Sequence, residues 1–289
     1  MIEILDNKYK IIKDDFIGKG GFGIVYKGYD LINGRNVAIK LDEKKKYNKR
    51  EFKVYSKLLG KKDMPQIIDY VEKDNISFLV MPLFSKDASS ILKIDKEKFF
   101  NEKDILMAGI QILQQLGILH KLGILHRDIK PDNFIYDNES NKFKLIDFGL
   151  SKPYISNNKH VEEKKNNGRC GTMRYMSTNA HNKNGLSRRD DMISLSYSLI
   201  YLYCKKLPWQ GIKESKSKIH GKIIEMKELF NYEINNYEII EPLVYLYKYS
   251  MSLKFDSKPD YSFLIQYFYK YIKTNNLKYN GKWSWYNKI

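Results

Sequence analysis

The chain has 289 residues, with 51 Lys and Arg against 34 Asp and Glu, for a formal net charge of +17. That length suits one large domain or two lobes with an ample core. Its two cysteines exclude a disulfide scaffold or a cysteine-built zinc site and point to a reducing compartment. Only seven of the basic residues are Arg, and Lys, Asn, Ile and Tyr are abundant, a bias typical of AT-rich genomes that accounts for part of the charge. The remaining charge points to anionic partners, foremost acidic or phosphorylated protein, with nucleic acid, a membrane surface or plain solubility as the other readings. Met1–Lys10 has scattered charges and no apolar segment, unlike a signal peptide. The uncharged runs Ile105–His120 (broken by Gln111, Gln114 and Gln115) and Met192–Cys204 fall short of the about 20 apolar residues that span a bilayer. A soluble intracellular monomer, in cytoplasm or nucleus, is expected.

In chain order, apolar runs at Ile11–Gly18 and Phe22–Asp30 read as strands, with Asn33-Gly34 as the turn into a third at Arg35–Leu41. Lys44–Lys46 reads as a solvated loop, with a nuclear address as the other reading. Lys49–Leu59 carries Phe52, Tyr55 and Leu58 or Leu59 at helical spacing, and Gln66–Glu72 and Ser77–Met81 read as two further strands. From Pro82 the period becomes helical. Asn101 is placed to cap a helix with the apolar stripe Ile105, Ala108, Ile112, Leu116 and Leu119. Short strands are expected at Phe134–Asp137 and Phe143–Ile146, then helices at Asp190–Tyr203, Ser217–Phe230, Tyr237–Met251 and Tyr261–Asn275. There is no internal repeat and no low-complexity linker.

The chemistry concentrates in His126–Asn133, which reads His-Arg-Asp-Ile-Lys-Pro-Asp-Asn. An aspartate, a lysine two residues on and an asparagine five residues on suit transfer of the terminal phosphoryl group of ATP to a hydroxyl. Asp128 would take the hydroxyl proton, Lys130 would neutralise charge on the moving group, and Asn133 would offer an oxygen to magnesium. Gly18-Lys19-Gly20-Gly21-Phe22-Gly23-Ile24-Val25 fits a glycine-rich turn between strands that lets backbone amides approach phosphates, although alone it reads as a bare hairpin. Val37-Ala38-Ile39-Lys40 ends a strand on a lysine for the inner phosphates, which needs a carboxylate to hold it; Glu51 is better spaced than Glu43. Asp147-Phe148-Gly149 supplies a second magnesium ligand. These signals are individually weak; their order and spacing together are specific.

With these residues the chain resembles eukaryotic-type protein kinases over nearly its whole length, and among them the casein kinase I family. The finer marks are His126–Phe134, Gly171-Thr172-Met173-Arg174-Tyr175, Ser187-Arg188-Arg189-Asp190-Asp191, Leu207-Pro208-Trp209-Gln210-Gly211 and Lys258-Pro259-Asp260-Tyr261. Ser177-Thr178-Asn179 stands where most kinases have Ala-Pro-Glu, an absence shared with that family. Ala180-His181-Asn182 is similar to the related vaccinia-type kinases, and a viral or protist member would fit. The resemblance implies an α+β, bilobal kinase fold: a small antiparallel-sheet N-lobe with one main helix (about 1–81), a hinge (about 82–85) and a larger, mainly helical C-lobe (about 86–289). It implies a single kinase domain acting as a Ser/Thr protein kinase on acidic or prephosphorylated proteins, with ATP and magnesium as cofactors; no membrane span and no nucleic-acid partner are expected. Asp128 would be the catalytic base, assisted by Lys130 and Asn133, with Asn133 and Asp147 on magnesium. Lys40 would pair with Glu51, and Gly18, Lys19, Gly20, Gly21, Phe22, Gly23 and Val25 would cover ATP. Ala38 belongs to the same nucleotide-binding set, Met81 would back the adenine, Leu83 would bond it from the hinge, and Asp191 would anchor the catalytic loop.

For the substrate's phosphate the resemblance implies Arg174, helped by a lysine whose place is taken by His220 between Lys218 and Lys222. The other reading of Arg174 is a partner for a carboxylate of the activation segment. Ser85-Lys86 and Ser196 also depart from the family pattern. The sparse hydroxyls of Lys152–Arg174 lead us to expect activity without an upstream kinase, and the short C-terminus no autoinhibitory tail. A catalytically weak kinase-fold scaffold is the alternative; a nucleic-acid module would instead use Trp283, Trp285 and Tyr286 to stack bases.

Overall fold

Side chains alternate across a strand, so in Val37-Ala38-Ile39-Lys40 the pair Val37 and Ile39 must face away from Ala38 and Lys40. That alternation organises the first part of the molecule. The computed structural model describes residues 2–21, 23–94, 100–215 and 217–286 and divides into two units. The first comprises Met1–Ser85 and Leu145–Ser151. Its strands are β1 (Ile2–Leu5), β2 (Tyr9–Gly20), β3 (Gly23–Asp30), β4 (Arg35–Asp42), β5 (Asp69–Lys73) and β6 (Ile76–Pro82), with α1 (Lys46–Leu58) after β4. They form one six-stranded antiparallel sheet in the order β1-β2-β3-β4-β6-β5. Val37 and Ile39 join Leu5, Tyr9, Ile11, Phe78 and Val80 in a core on one face. The sheet curls, so that Tyr9 on β2 donates to Asp69 on β5 at 3.0 Å. Strand β1 was not expected, because four residues at an edge are too few to show a period.

Helix α1 begins earlier than its apolar spacing suggests, and the reason is polar. Its buried residues are Asn48, Glu51, Val54, Tyr55 and Leu58. Asn48 donates to the carbonyls of Lys40 (2.9 Å) and Ser77 (3.0 Å), pinning the helix to β4 and β6. Asp42 accepts from the amides of Tyr47 (2.7 Å) and Asn48 (3.1 Å), satisfying two of the donors a helix start leaves open. Phe52 stands off this face, stacked on Tyr70 with ring centroids 4.6 Å apart. Leu59 lies past the helix and is 56% exposed.

The second unit comprises Lys86–Lys144 and Lys152–Ile289. Its helices are α2 (Ala88–Ile94), α3 (Glu102–Lys121), α4 (Thr178–His181), α5 (Arg188–Cys204), α6 (Ile219–Glu233), α7 (Glu241–Ser252) and α8 (Tyr261–Thr274). Short strands β7 (Ile124–Leu125), β8 (Phe134–Asp137), β9 (Lys142–Leu145), β10 (Lys152–Pro153), β11 (Ile155–Ser156) and β12 (Lys159–His160) pair as β8-β9, β7-β10 and β11-β12. Asn101 caps α3 by accepting from the amide of Asp104 at 2.9 Å, and the whole expected stripe of α3 is buried. Gln111 and Gln115, which interrupt the apolar run in the sequence, are buried too. They bond the amide and carbonyl of Phe143 at 2.9 and 2.8 Å, fixing the strand that leads toward Asp147. Ser196 sits where α5 meets α7, its hydroxyl 3.3 Å from that of Ser250. Trp283 and Trp285 are 5% and 1% exposed, and the ring of Trp285 lies 4.9 Å from that of Tyr136. Burial removes both indoles from any base-stacking role. Among the described residues no helix is long and apolar enough to cross a membrane.

Candidate active site

The glycine-rich turn joins β2 to β3, with Gly18 opposite Val25 and Gly20 opposite Gly23. Gly23 has φ +135°, and a Cβ there would come within 2.1 Å of the Leu41 carbonyl oxygen, so only glycine fits. Gly18 and Gly21 differ: a Cβ on either would meet open space. Their bare backbone serves no packing need, which is what an incoming phosphate requires. Phe22 lies outside the described residues. Val25 lies opposite Lys40, and Ala38 opposite Met81, so all four share the sheet face away from the core. Ala38 and Met81 are 8% and 9% exposed, while Ile17, beside Gly18, is 49% exposed. Leu83 follows β6 and is half-buried.

Lys40 is buried and lies between two carboxylates, Glu51 at 2.7 Å and Asp147 at 3.0 Å. Burial opposes its charge, but Glu51 and then Asp147 outweigh that and hold the ammonium above its ordinary range. Glu51 also accepts from the Phe148 amide at 3.2 Å, Arg50 donates to the Gly149 carbonyl at 3.0 Å, and Tyr55 meets the Phe148 ring edge-on at 5.1 Å. Helix α1 is therefore bolted to Asp147-Phe148-Gly149. One lysine between two carboxylates leaves a net negative charge, and Asp147, in the left-handed conformation at φ 65°, keeps its side chain partly accessible. This donor set fits magnesium, a hard cation that takes oxygen ligands. Glu43 makes none of these contacts.

In the second unit the loop after β7 is held from below. Buried Asp191 accepts from the amides of His126 and Arg127, each at 2.8 Å, and from His120 Nε2 at 2.9 Å. Burial would raise the Asp191 carboxyl, but His120 and these amides hold it below the usual carboxylate range. Arg127 adopts φ 73°, and this anchor supports that unusual conformation. Asp128 is 5% exposed. Its Oδ2 lies 2.8 Å from Lys130 Nζ, and its Oδ1 accepts from the amide (2.7 Å) and hydroxyl (2.8 Å) of Thr172. Lys130 also donates to the Thr172 hydroxyl at 3.1 Å. Asn133 donates its amide nitrogen to the Asp128 carbonyl at 2.7 Å, which leaves its amide oxygen for a hard cation.

Thr172 was not among the expected site residues, yet it closes a triangle with Asp128 and Lys130. Its signal was Gly171: with φ +97° and a Cβ position 2.7 Å from the Arg127 carbonyl, only glycine lets the segment come so close. Ser177 and Asn179, in the atypical tripeptide, both donate to Asp190, at 2.6 and 2.9 Å. Arg174 lies over the rings of Tyr201 (5.3 Å) and Tyr175 (5.7 Å), and among the described residues no carboxylate lies within ion-pair distance of it. Lys222 pairs with Glu225 at 2.9 Å, and His220 turns to His181, Nδ1 to Nδ1 at 2.8 Å. Among the described residues neither Lys218 nor Lys222 bonds Arg174. Another cation that the sequence did not mark, Lys227, is 1% exposed and donates to the carbonyls of Met176 (2.6 Å) and Met173 (3.3 Å).

Comparison with known families adds one finding: the family model described as protein kinase domain matches residues 11–264. That span takes in the glycine turn, Lys40, the Asp128 loop, Asp147 and Thr172, and with it the chain belongs to the protein kinase family.

Proposed function

We propose that this chain is a Ser/Thr protein kinase of the casein kinase I type, transferring the γ-phosphoryl group of ATP to hydroxyls of acidic or prephosphorylated proteins. The observation that carries the chemistry is Asp128 clasped by Lys130 and Thr172. Asp128 takes the proton of the acceptor hydroxyl as general base. Lys130, already beside Asp128, neutralises charge at the transfer point. Lys40, held by Glu51, receives the inner phosphates, while Gly18 and Gly21 leave backbone amides bare toward them. Val25, Ala38 and Met81 present apolar surface to the base, and the backbone of Leu83 bonds it. Asp147 in the one unit and Asn133 in the other would each offer oxygen to magnesium, which when bound offsets phosphate charge.

Acidic preference is supported by Arg174, whose guanidinium rests on tyrosine rings, with Asp132 acting on it only at longer range and no carboxylate within ion-pair distance among the described residues. Lys218 and Lys222 assist it over longer range. Glu163, 2.5 Å from Arg189, gives the segment before Thr172 a fixed ion pair and supports activity without an upstream kinase.

Two measurements test this reading. Phosphoamino-acid analysis of a peptide offering Ser, Thr and Tyr is expected to find label on Ser and Thr; label on Tyr alone overturns the specificity. Arg174→Ala is expected to raise KM for an acidic peptide about tenfold or more, the value of one charge-assisted contact, and to spare a neutral one. Equal loss on both peptides assigns Arg174 a structural role.

A further inference from the structure

Tyr232, at 82%, is the most exposed large apolar side chain among the described residues, and Leu229 beside it is 53% exposed. Both lie on α6, where an amphipathic helix should turn polar residues outward. The inner face of α6 is complete without them: Ile223, Lys227 and Phe230 are buried. On the outer face Glu225, Glu228, Leu229 and Tyr232 follow at spacings of three, four and seven, which is one stripe. The charge around this stripe is opposite to that of the chain. Glu225 is already paired with Lys222 at 2.9 Å, but between Lys222 and Lys248 the chain further carries Glu228, Glu233, Glu238 and Glu241 and a single cation, Lys227, in a protein of net charge +17. Lys227 is turned inward, so beyond the Lys222–Glu225 pair the stripe presents the Glu228 carboxylate and two apolar anchors, with Glu233 next to Tyr232.

We infer that the outer face of α6 and the turn into α7 form a docking surface for a lysine- or arginine-rich segment of a protein substrate, seated on Tyr232 and Leu229. This rests on the kinase reading above. Charge complementarity selects the occupant: a cationic segment is drawn to this face and repelled by the cationic remainder of the chain. Exposed tyrosine is a frequent anchor of protein interfaces. The inner face supplies the link to catalysis, because Lys227 fastens α6 to the carbonyls of Met173 and Met176, next to the Thr172 that holds Asp128. A segment held on α6 keeps its substrate close to the catalytic loop and raises the effective concentration of the acceptor hydroxyl. Such a substrate is bipolar, acidic around its acceptor and basic in a separate stretch.

The test begins with binding, which needs no catalysis. A fluorescent amphipathic lysine–leucine peptide is titrated with the full chain, beside a glutamate–leucine peptide of the same spacing. The lysine peptide is expected to bind and the glutamate peptide not. Leu229→Ser with Tyr232→Ser, and separately Glu228→Lys with Glu233→Lys, should each weaken binding by roughly tenfold or more with the unfolding midpoint retained. Joining the lysine segment through a flexible linker to an acidic acceptor peptide should then lower KM about tenfold at constant kcat. That gain should vanish in either variant pair, while the unjoined acceptor is used as before. Wild-type affinity in both folded variant pairs, or equal binding of the glutamate peptide, overturns the proposal. Sedimentation showing a wild-type dimer that the variants dissolve also overturns it, assigning the face to a second copy. Absence of phosphoryl transfer to every peptide, with binding intact, counts against the kinase reading and leaves the docking face standing.

Discussion

Thr172 gives Asp128 two hydrogen bonds and Lys130 gives it a charge, so the carboxylate is fixed before an acceptor arrives. Asp128→Asn keeps the shape and removes the base; kcat is expected to fall by about 10²–10⁴ with the thermal midpoint unchanged. Full activity of that variant on a peptide with ATP and magnesium assigns the proton to another group. Thr172→Val leaves Asp128 short of one donor. We expect kcat to drop by roughly 10- to 100-fold with KM for ATP little changed, and Thr172→Ser to restore it, since the hydroxyl is what positions the base. A variant that loses activity and cannot be rescued by Ser shows a packing role instead. Asp128, Lys130 and Asn133 were legible because they sit within one short stretch. Thr172, 44 residues beyond Asp128, was not, because contact between distant segments leaves no periodic trace in a sequence. Glu51 was found by its spacing from Lys40, but Arg50 and Asn48 beside it were not, since a search for apolar stripes passes over buried polar residues.

At the scale of elements, α1 and α6 use the same device: a polar side chain on the inner face that bonds the backbone of a catalytic segment. Glu51 and Arg50 reach Phe148 and Gly149 from α1, and Lys227 reaches Met173 and Met176 from α6. Long helices such as α3 and α8 were legible from their periods, whereas α2 and α4, with few turns, were not. His181 closes α4 between Lys227 Nζ (3.1 Å) and His220 (2.8 Å). Burial, then the charge of Lys227 and the neighbouring His220, push its imidazole down to about 3 from an ordinary 6.5. The folded value lies below the unfolded one, so the contribution is complete above pH 6.5 and is lost as pH falls toward 3, where the unfolded chain binds the proton first. One such group gives a slope of at most about 1.4 kcal/mol per pH unit. Urea midpoints across that window should fall more steeply for the wild type than for His181→Asn; parallel curves would assign the acid sensitivity to other groups.

On the scale of the whole molecule, the order of motifs in the sequence foretold a sheet unit followed by a helical one. It did not foretell that Leu145–Ser151 belongs with the sheet unit, because that assignment comes from α1 packing on Phe148–Leu150, as in the contact of Glu51 with Phe148, 97 residues apart. Nor did it show how the C-terminal aromatics would be used. Trp283 and Trp285 pack beside Tyr136 and Phe143, and the amide of Ser284 reaches Asp104 at the start of α3. Trp285→Ala should cost about 3–5 kcal/mol in urea unfolding and leave kcat at low temperature near the wild-type value. A loss under 1 kcal/mol would mean that the tail contributes little to the core. Lys227 has a consequence of another kind. Acylating reagents dissolved in water mark lysines on the surface at once, but this amine is sealed beneath its helix and becomes reactive only while that helix is lifted. The slow appearance of label at this position, followed by mass spectrometry, is a clock for how often the region opens, built into the chain without any added probe.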